Sequence, residues 1–338
     1  MHFVDESMTA SYVSMLVCLL APAGLFAGEP AVSPCICHVV PLSEADFQAH
    51  PKHRGSDSDS LKVLVTAKGW ERSRHPGTRR YWYLFLPEGI RGNENGKWFE
   101  GEDWRPQVPQ TWREKDGYWR YEGTPLRNLW GLWKYNTDGK HLLDQEKARQ
   151  RPVIGSQSAG IFADETGVHY YVRIKNTSKL RWADVHGNVC FNSFLSPETG
   201  HRPYVNIGGA WKPYQEIAGI RQHAYLPPED KEQQFCRSRL KGKWADIGVP
   251  PSLSAPAIVA WNFVGEEPLL TCHYSRDAVG LGANQDWPCT DLYMWFGDLE
   301  PGQQKVCWGH VVIMPTRLSD FARQFDSLRK KWHERERQ

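Results

Sequence analysis

The sequence lacks the motifs that identify several large enzyme classes. It contains no glycine-rich phosphate-binding loop, no His-Glu-x-x-His metal motif and no Gly-x-Ser-x-Gly nucleophile turn. Each of these motifs holds a reactive group on a defined turn or helix face. Their absence disfavours nucleotide-dependent enzymes and serine hydrolases, and no cofactor is expected.

The chain also lacks a strong excess of either charge. Its 41 basic and 39 acidic residues give a formal charge of +2. Nucleic-acid-binding domains usually carry a concentrated basic surface, whereas the basic cluster at residues 329–337 is interleaved with glutamates and is typical of a solvated helix end. Nucleic acid is therefore not an expected partner.

No apolar run reaches the ~20 residues that a membrane-spanning helix needs. Residues 13–27 (VSMLVCLLAPAGLFA) instead have the length of a signal-peptide hydrophobic region and end in small residues. The sequence predicts a signal peptide at 1–27, no membrane span in the mature chain, and a secreted or periplasmic protein. A buried N-terminal helix is the alternative.

Cysteines are few for the length and widely scattered, which excludes a disulfide scaffold. A bridge between Cys272 and Cys289 is one candidate, while Cys190 and Cys307 lie in apolar alternation and are expected in the core. The segment at 35–38 (CICH) resembles half a metal site, but no second Cys/His pair follows at a suitable spacing. The sequence therefore predicts no metal.

Short alternating strands dominate the chain from residue 61 onward. The pattern is clearest at 167–175, where Val168, Tyr170 and Val172 alternate with polar or aromatic residues. Residues 318–332 carry an apolar stripe at helical spacing, with Ser319 or Asp320 as the expected N-cap. This predicts an all-β fold, a large antiparallel β-sandwich with a C-terminal helix: an arm and loop at 28–60, then one domain at 61–338 with a Trp-rich loop insert at about 89–150.

Two strand-and-turn phrases carry a family resemblance. Residues 172–178 (VRIKNTS), followed by Trp182 and Asp184, and residues 296–302 (FGDLEPG) before the last strand are similar to phrases in exported bacterial β-sandwich proteins. Together they resemble the supersandwich folds of the galactose-mutarotase-like group, which includes sugar epimerases and the β-domains of polysaccharide lyases. The resemblance implies a carbohydrate-facing groove on a concave sheet.

Tryptophan is abundant, with sixteen in the chain. Trp98, Trp104, Trp112 and Trp119 lie among glycine and charged residues, where their rings would suit either core packing or stacking on sugar rings. We interpret these four as candidate carbohydrate-binding residues, with packing as the open alternative.

Polar residues that suit acid–base chemistry follow the central strands. They are His169, Tyr171, Arg173, Asp184, His186, His201 and Tyr204. An enzyme acting on an acidic sugar needs Arg or His to neutralise the carboxylate and a His or Tyr to remove the C5 proton. Solvated outward strand positions are the alternative for each residue.

These patterns lead to two functional hypotheses. The first is a secreted protein that recognises a carbohydrate or polysaccharide, with polysaccharide lyase or sugar epimerase activity as the chemistry that its side chains would serve. The second is a non-catalytic exported binding or structural interaction module. A paired acid and base in a pocket would favour the first, and a flat apolar patch would favour the second.

Overall fold

The structure is a computed structural model in which residues 33–41, 62–67, 82–100, 112–129, 131–135, 141–192, 202–213, 223–225, 235–240, 243–246, 253–264, 267–284 and 289–337 are described. The described residues belong to one compact unit, Val32–Gln338. The predicted signal peptide at 1–27 lies outside them.

The described elements are mostly strands. In chain order they are β1 (Cys37–Pro41), β2 (Lys62–Ala67), β3 (Trp82–Glu94), β4 (Lys97–Glu100), β5 (Arg113–Lys115), β6 (Tyr118–Arg127), β7 (Trp133–Tyr135), β8 (His141–Leu143), α1 (Gln145–Gln150), β9 (Val153–Asp164), β10 (Gly167–Asn176), β11 (Trp182–Asn192), β12 (Arg202–Ile207), β13 (Ala210–Pro213), β14 (His223–Tyr225), β15 (Phe235–Leu240), β16 (Lys243–Asp246), β17 (Leu253–Val264), β18 (Glu267–Tyr274), β19 (Ala278–Asn284), β20 (Cys289–Leu299), β21 (Gln304–Met314) and α2 (Leu318–Arg335).

Two large sheets form the sandwich. The first has the order β1-β2-β3-β11-β20-β19-β14-β15-β16, with β4 also paired to β3. The second has the order β13-β12-β17-β18-β21-β10-β9-β6-β5. The ladders between the described strands of both sheets are antiparallel, apart from that of β15 with β19. The predicted all-β sandwich with a C-terminal helix is confirmed.

The main core lies between these sheets. On β10 the expected alternation holds, since Val168, Tyr170, Val172 and Ile174 are all buried in the cluster that joins the sheets. Phe296 from β20 enters the same cluster from the first sheet. A strand with this period buries one face completely, which fixes its register because a slip of one residue would expose the whole apolar set.

Helix α2 covers part of the second sheet's far side. Its stripe of Phe321, Phe325, Leu328 and Trp332 is buried against β17, β18 and β21. Burial of each such side chain contributes roughly 1.5–3 kcal/mol. Neither described helix is both long and apolar enough to cross a membrane.

Three local expectations differ from the structure. The N-cap of α2 is Arg317, without a side-chain capping bond, because Ser319 and Asp320 already lie within the first turn. The arm at 28–60 contains a strand, Cys37–Pro41, whose adjacent valines favour pairing with β2. The insert at 89–150 contains β6, which pairs with β9 inside the second sheet.

The six cysteines whose side chains the structure describes are free thiols. Cys272 and Cys289 are both free, and they belong to different sheets, so the candidate bridge between them is wrong. Cys307 is a core residue as expected. In the segment at 35–38, the Cys37 thiol donates to the carbonyl oxygen of Cys35 at 3.4 Å.

Candidate functional site

A row of polar side chains points away from the sandwich core on the first sheet. On β11, Val189 and Phe191 lie in the core, so His186, Asn188 and Cys190 point to the opposite side. Across the flanking ladders, His186 pairs with Arg91 and Trp295, Asn188 with Gly89 and Tyr293, and Cys190 with Phe85 and Asp291. We call this set of residues the first-sheet outer face.

Asn188 occupies the middle of the first-sheet outer face. Its amide nitrogen donates to Glu88 Oε2 at 2.5 Å. Its amide oxygen is buried and accepts no hydrogen bond from the described residues. An unsatisfied buried acceptor costs about 1–3 kcal/mol. The oxygen is closed to solvent, so a ligand hydroxyl would relieve that cost once a neighbouring side chain moves aside.

A bulge positions His186 at one end of this face. The register of β11 shifts on both sides of Val185, and Asp184 takes a positive φ of 55°. The Asp184 N–H donates to Asp298 Oδ1 at 2.9 Å, and Trp295 Nε1 donates to Asp184 Oδ1 at 3.3 Å. Bulges re-aim side chains in this way next to many functional sites.

The tautomer of His186 follows from its contact. Its Nδ1 lies 3.1 Å from the carbonyl oxygen of Asp184. Because a carbonyl oxygen only accepts, Nδ1 carries the proton and Nε2 is the basic nitrogen of the neutral ring. His186 is half-buried, as are its cross-strand neighbours Arg91 and Trp295. This end of the face therefore combines a base, a cation and an indole.

Two thiols and a carboxylate occupy the other end. Cys190, Cys289 and Asp291 are buried, and one ligand atom from each lies within 4.8 Å of the others. Burial raises the pKa of Asp291 to about 6, although hydrogen bonds from the two thiols oppose the shift. A hydrogen bond to Cys289 and burial raise the pKa of Cys190. No described cation is paired with Asp291 in an ion pair or hydrogen bond.

The second sheet buries a hydrogen-bonded chain beneath α2. His169 Nε2 lies 3.0 Å from Asp164 Oδ1, and His169 Nδ1 lies 2.8 Å from His310 Nδ1. His310 Nε2 then lies 3.0 Å from Glu336 Oε1. The ring of Trp332 stacks on His310 with centroids 5.3 Å apart. This chain connects β9, β10 and β21 to the end of α2.

A polar depression lies further along the same side of the second sheet. Tyr171 is buried there between Tyr118 and Trp308. Arg173 Nη1 lies 3.4 Å from Glu122 Oε2, and burial followed by the nearby Glu122 carboxylate raises the pKa of Tyr171. The lining residues of the depression are Glu122, Gly123, Ser156, Ser158, Arg173, Lys175 and Gln304.

The predicted catalytic residues do not converge on one cleft. His169, Tyr171 and Arg173 lie on the second sheet, whereas Asp184 and His186 lie on the first. His169 points away from the sandwich core as predicted, but it is not solvated, because α2 covers that part of the strand and His169 is fully buried.

Two more of the predicted catalytic residues fall elsewhere. Tyr204 on β12 packs against the cluster beneath α2, which places it with packing residues and not with a cleft. His201 lies outside the described residues.

Two of the four tryptophan candidates pack against the core, and the side chains of the other two lie outside the described residues. Trp112 and Trp119 are half-buried against the main core, and Trp112 meets Tyr121 edge-on with centroids 4.9 Å apart. This packing is the alternative that the sequence left open for them. Trp104 and the side chain of Trp98 lie outside the described residues.

Sequence patterns missed several members of the first-sheet outer face. Arg91 pairs with His186, and Tyr293 pairs with Asn188, through strands far apart in the sequence. Glu88, which accepts from Asn188, lies 100 residues before it and beside the same face. The available signal was the alternation on β11, which placed Asn188 on the same side as His186. The other residues could be assigned to this face only once the pairing of β11 with β3 and β20 is known.

Comparisons with known proteins return structures and no sequence relatives. No protein-family model matches the sequence, and no curated protein matches it. A protein from Synechocystis sp. PCC 6803 is 13% identical with a TM-score of 0.38, and the alignment covers 77% of this chain and 94% of that one.

Two further structures come from lactobacilli. A galactose mutarotase related enzyme from Lactobacillus acidophilus is 10% identical with a TM-score of 0.38, covering 76% of this chain and 92% of the other. A galactose mutarotase-like protein from Lactobacillus casei is 9% identical with a TM-score of 0.37, covering 75% and 97%. Both proteins carry names from the galactose-mutarotase-like group that the sequence resembles. Similarity this low assigns no substrate, reaction or residue role to this chain.

Proposed function

We propose that the first-sheet outer face binds a carbohydrate and that its preferred ligands are acidic sugars. The observation that carries the proposal is the buried amide oxygen of Asn188, which accepts no hydrogen bond from any described residue while the amide nitrogen donates to Glu88. Sugar hydroxyls both donate and accept, so one hydroxyl can satisfy Asn188 while a neighbouring one meets Glu88. Tyr293 lies directly across the ladder from Asn188 and is buried beside it.

The half-buried end of the face suits the charged part of such a ligand. Arg91 lies opposite His186 in the ladder, and a guanidinium binds a carboxylate with two parallel hydrogen bonds. Trp295 lies opposite His186 on the other side, where an indole contributes apolar contact to a sugar ring. The acidic sugar would therefore place its carboxylate near Arg91 and its ring near Trp295.

The same arrangement supports proton abstraction from carbon. With the carboxylate neutralised by Arg91, His186 Nε2 removes the C5 proton as general base. In a lyase the electron pair then forms the C4–C5 double bond, the C4–oxygen bond breaks, and the leaving oxygen takes a proton from solvent. In an epimerase a proton returns to the opposite face of C5. We propose polysaccharide lyase or sugar epimerase chemistry on this basis.

An interaction module is less well supported by the surface. The large apolar side chains that are exposed among the described residues are Ile36, Val153 and Leu180. They lie just before β1, on β9 and in the turn before β11, and single exposed apolar residues are ordinary on folded domains. A flat docking surface would need them to be contiguous.

Export is part of the proposal and has its own test. The apolar run at 13–27 ends in small residues that suit signal cleavage. Expression of the full chain in a bacterial host should yield a mature protein that begins near Gly28 outside the cytoplasm. N-terminal sequencing that finds residues 15–27 intact on the soluble protein would contradict it.

Binding and turnover test the functional proposal together. The probes are oligogalacturonate, oligoalginate and hyaluronan, with cellohexaose as the neutral comparison. The full chain should bind at least one acidic probe and release unsaturated, ultraviolet-absorbing ends if it is a lyase. His186→Ala should abolish that release with an unchanged melting temperature, while Arg173→Ala, on the second sheet, should retain it. Loss of binding in Arg173→Ala alone would move the site to the second sheet.

A further inference from the structure

The buried end of the first-sheet outer face contains three side chains of metal-ligating types that are not among the proposed sugar contacts. Cys190 and Asp291 are direct cross-strand partners, and Cys289 lies two residues before Asp291 on the same side of β20. Antiparallel pairing brings such side chains to within ~4.5–5.5 Å at Cβ. The three therefore form one cluster that the sheet itself holds in place.

The spacing of the ligand atoms fits a small cation. Cys289 Sγ lies 3.8 Å from Asp291 Oδ1 and 3.9 Å from Oδ2, and all three ligand atoms lie within 4.8 Å of one another. A tetrahedral ion with metal–sulfur bonds of about 2.3 Å and metal–oxygen bonds of about 2.0 Å separates its ligands by roughly 3.5–3.8 Å. Only small side-chain rotations separate the cluster from that geometry.

The charge of the pocket also favours a cation. Asp291 is buried, and its described polar partners are two thiols, which do not balance a carboxylate charge. The negative charge of a second carboxylate, Glu88, lies near enough to interact with both cysteines. Buried charges are normally paired or bound to metal.

We propose that Cys190, Cys289 and Asp291 bind a zinc ion. Two thiolates with one carboxylate suit Zn²⁺, since thiolates select against the hard cations Mg²⁺ and Ca²⁺. Binding forms two zinc–sulfur bonds and one zinc–oxygen bond, and the two thiol protons leave to solvent. Three protein ligands leave a fourth tetrahedral position that no described residue fills.

Metal content and ligand substitution test this site without any glycan. The full chain, purified with a thiol reductant and without chelators, should retain one equivalent of zinc by elemental analysis. Cys190→Ser, Cys289→Ser and Asp291→Asn should each weaken zinc binding by more than ~10-fold. Loss of a residue that only hydrogen-bonds to a metal ligand already lowers metal affinity by about 10-fold or more. Cys272→Ser, a buried thiol beneath α2, should bind zinc as the parent does.

A second readout applies even if the variants fail to fold. Cobalt added to the unsubstituted protein should give the visible bands of a tetrahedral site and thiolate charge-transfer bands. Zinc should protect Cys190 and Cys289, but not Cys272, from alkylation during brief unfolding, as mapped by peptide mass spectrometry. Absence of bound metal, binding that survives both serine substitutions, or a Cys190–Cys289 disulfide under the same conditions would overturn the proposal. Because glycan binding is measured separately, either proposal can fail alone.

Discussion

The Nδ1 atoms of His169 and His310 lie 2.8 Å apart in the interior of the second sheet. With Asp164 and Glu336 at its two ends, the chain contains three hydrogen bonds. Two neutral imidazoles supply only two N–H groups, so the third bond needs one further proton. Burial raises the pKa of Glu336, although Arg276 Nε lies 2.8 Å from its other oxygen, Oε2, and favours the ionised form. We predict that burial prevails and that Glu336 carries the further proton.

This proton assignment predicts the behaviour of two substitutions at the end of α2. Glu336→Gln keeps a donor toward His310 and should leave the free energy of unfolding within ~0.5 kcal/mol of the parent. Glu336→Ala removes the donor and should destabilise by about 1–3 kcal/mol. Urea unfolding at pH 7 measures both. Equal destabilisation by the two substitutions would mean that Glu336 is ionised.

Acid should destabilise the fold through a different histidine. Burial lowers the pKa of His273 to about 3, where its ring accepts from the Tyr170 hydroxyl at 2.6 Å. Between pH 6.5 and 3, His273 binds a proton in the unfolded chain but not in the folded protein. The free energy of unfolding therefore decreases as pH falls through that window.

The size of this effect can be isolated by comparison with a variant. From pH 6.5 to 5, His273 should account for about 2 kcal/mol of lost stability. His273→Gln is less stable throughout but should show a correspondingly flatter decline when urea unfolding is repeated across that range. Parallel pH profiles for the two proteins would show that His273 is protonated in the folded state.

Packing of Trp119 against the core predicts a stability role. Its ring is half-buried, so Trp119→Ala should destabilise by about 2 kcal/mol, less than the 3–5 kcal/mol of a fully buried ring. Affinity for an acidic oligosaccharide should be unchanged in the same variant. A tenfold loss of affinity at a constant melting temperature would instead restore Trp119 to a sugar-stacking surface.

The local pattern of apolar residues was sufficient to predict much of the sandwich. The alternation of Val168, Tyr170 and Val172 predicted β10 and the side of the strand that faces the core. The apolar stripe of α2 likewise predicted a helix packed on a sheet. The part of β6 beyond Tyr121 was harder to predict, because Glu122 and Gly123 are exposed and resemble a loop.

The candidate site depended on contacts that no local pattern records. His169 was assigned to the correct side of β10, but its burial follows from His310, 141 residues later, and from the helix beyond it. Asp291 becomes a candidate only through the strand pairing that places it beside Cys190. Alternation predicts which side of a strand a residue occupies, whereas long-range pairing decides what meets it there.

The position of a bound acidic oligosaccharide tests the central claim most directly. Hydrogen–deuterium exchange on the full chain with and without the probe that binds best should show protection in β11 and β20, at peptides covering His186, Asn188 and Tyr293. Asn188→Ala should weaken that binding by about 5–100-fold, for the loss of a hydrogen-bonding position. Protection confined to the peptides around Glu122 and Arg173, or no binding of any acidic probe, would contradict the assignment of the first-sheet outer face as the carbohydrate site.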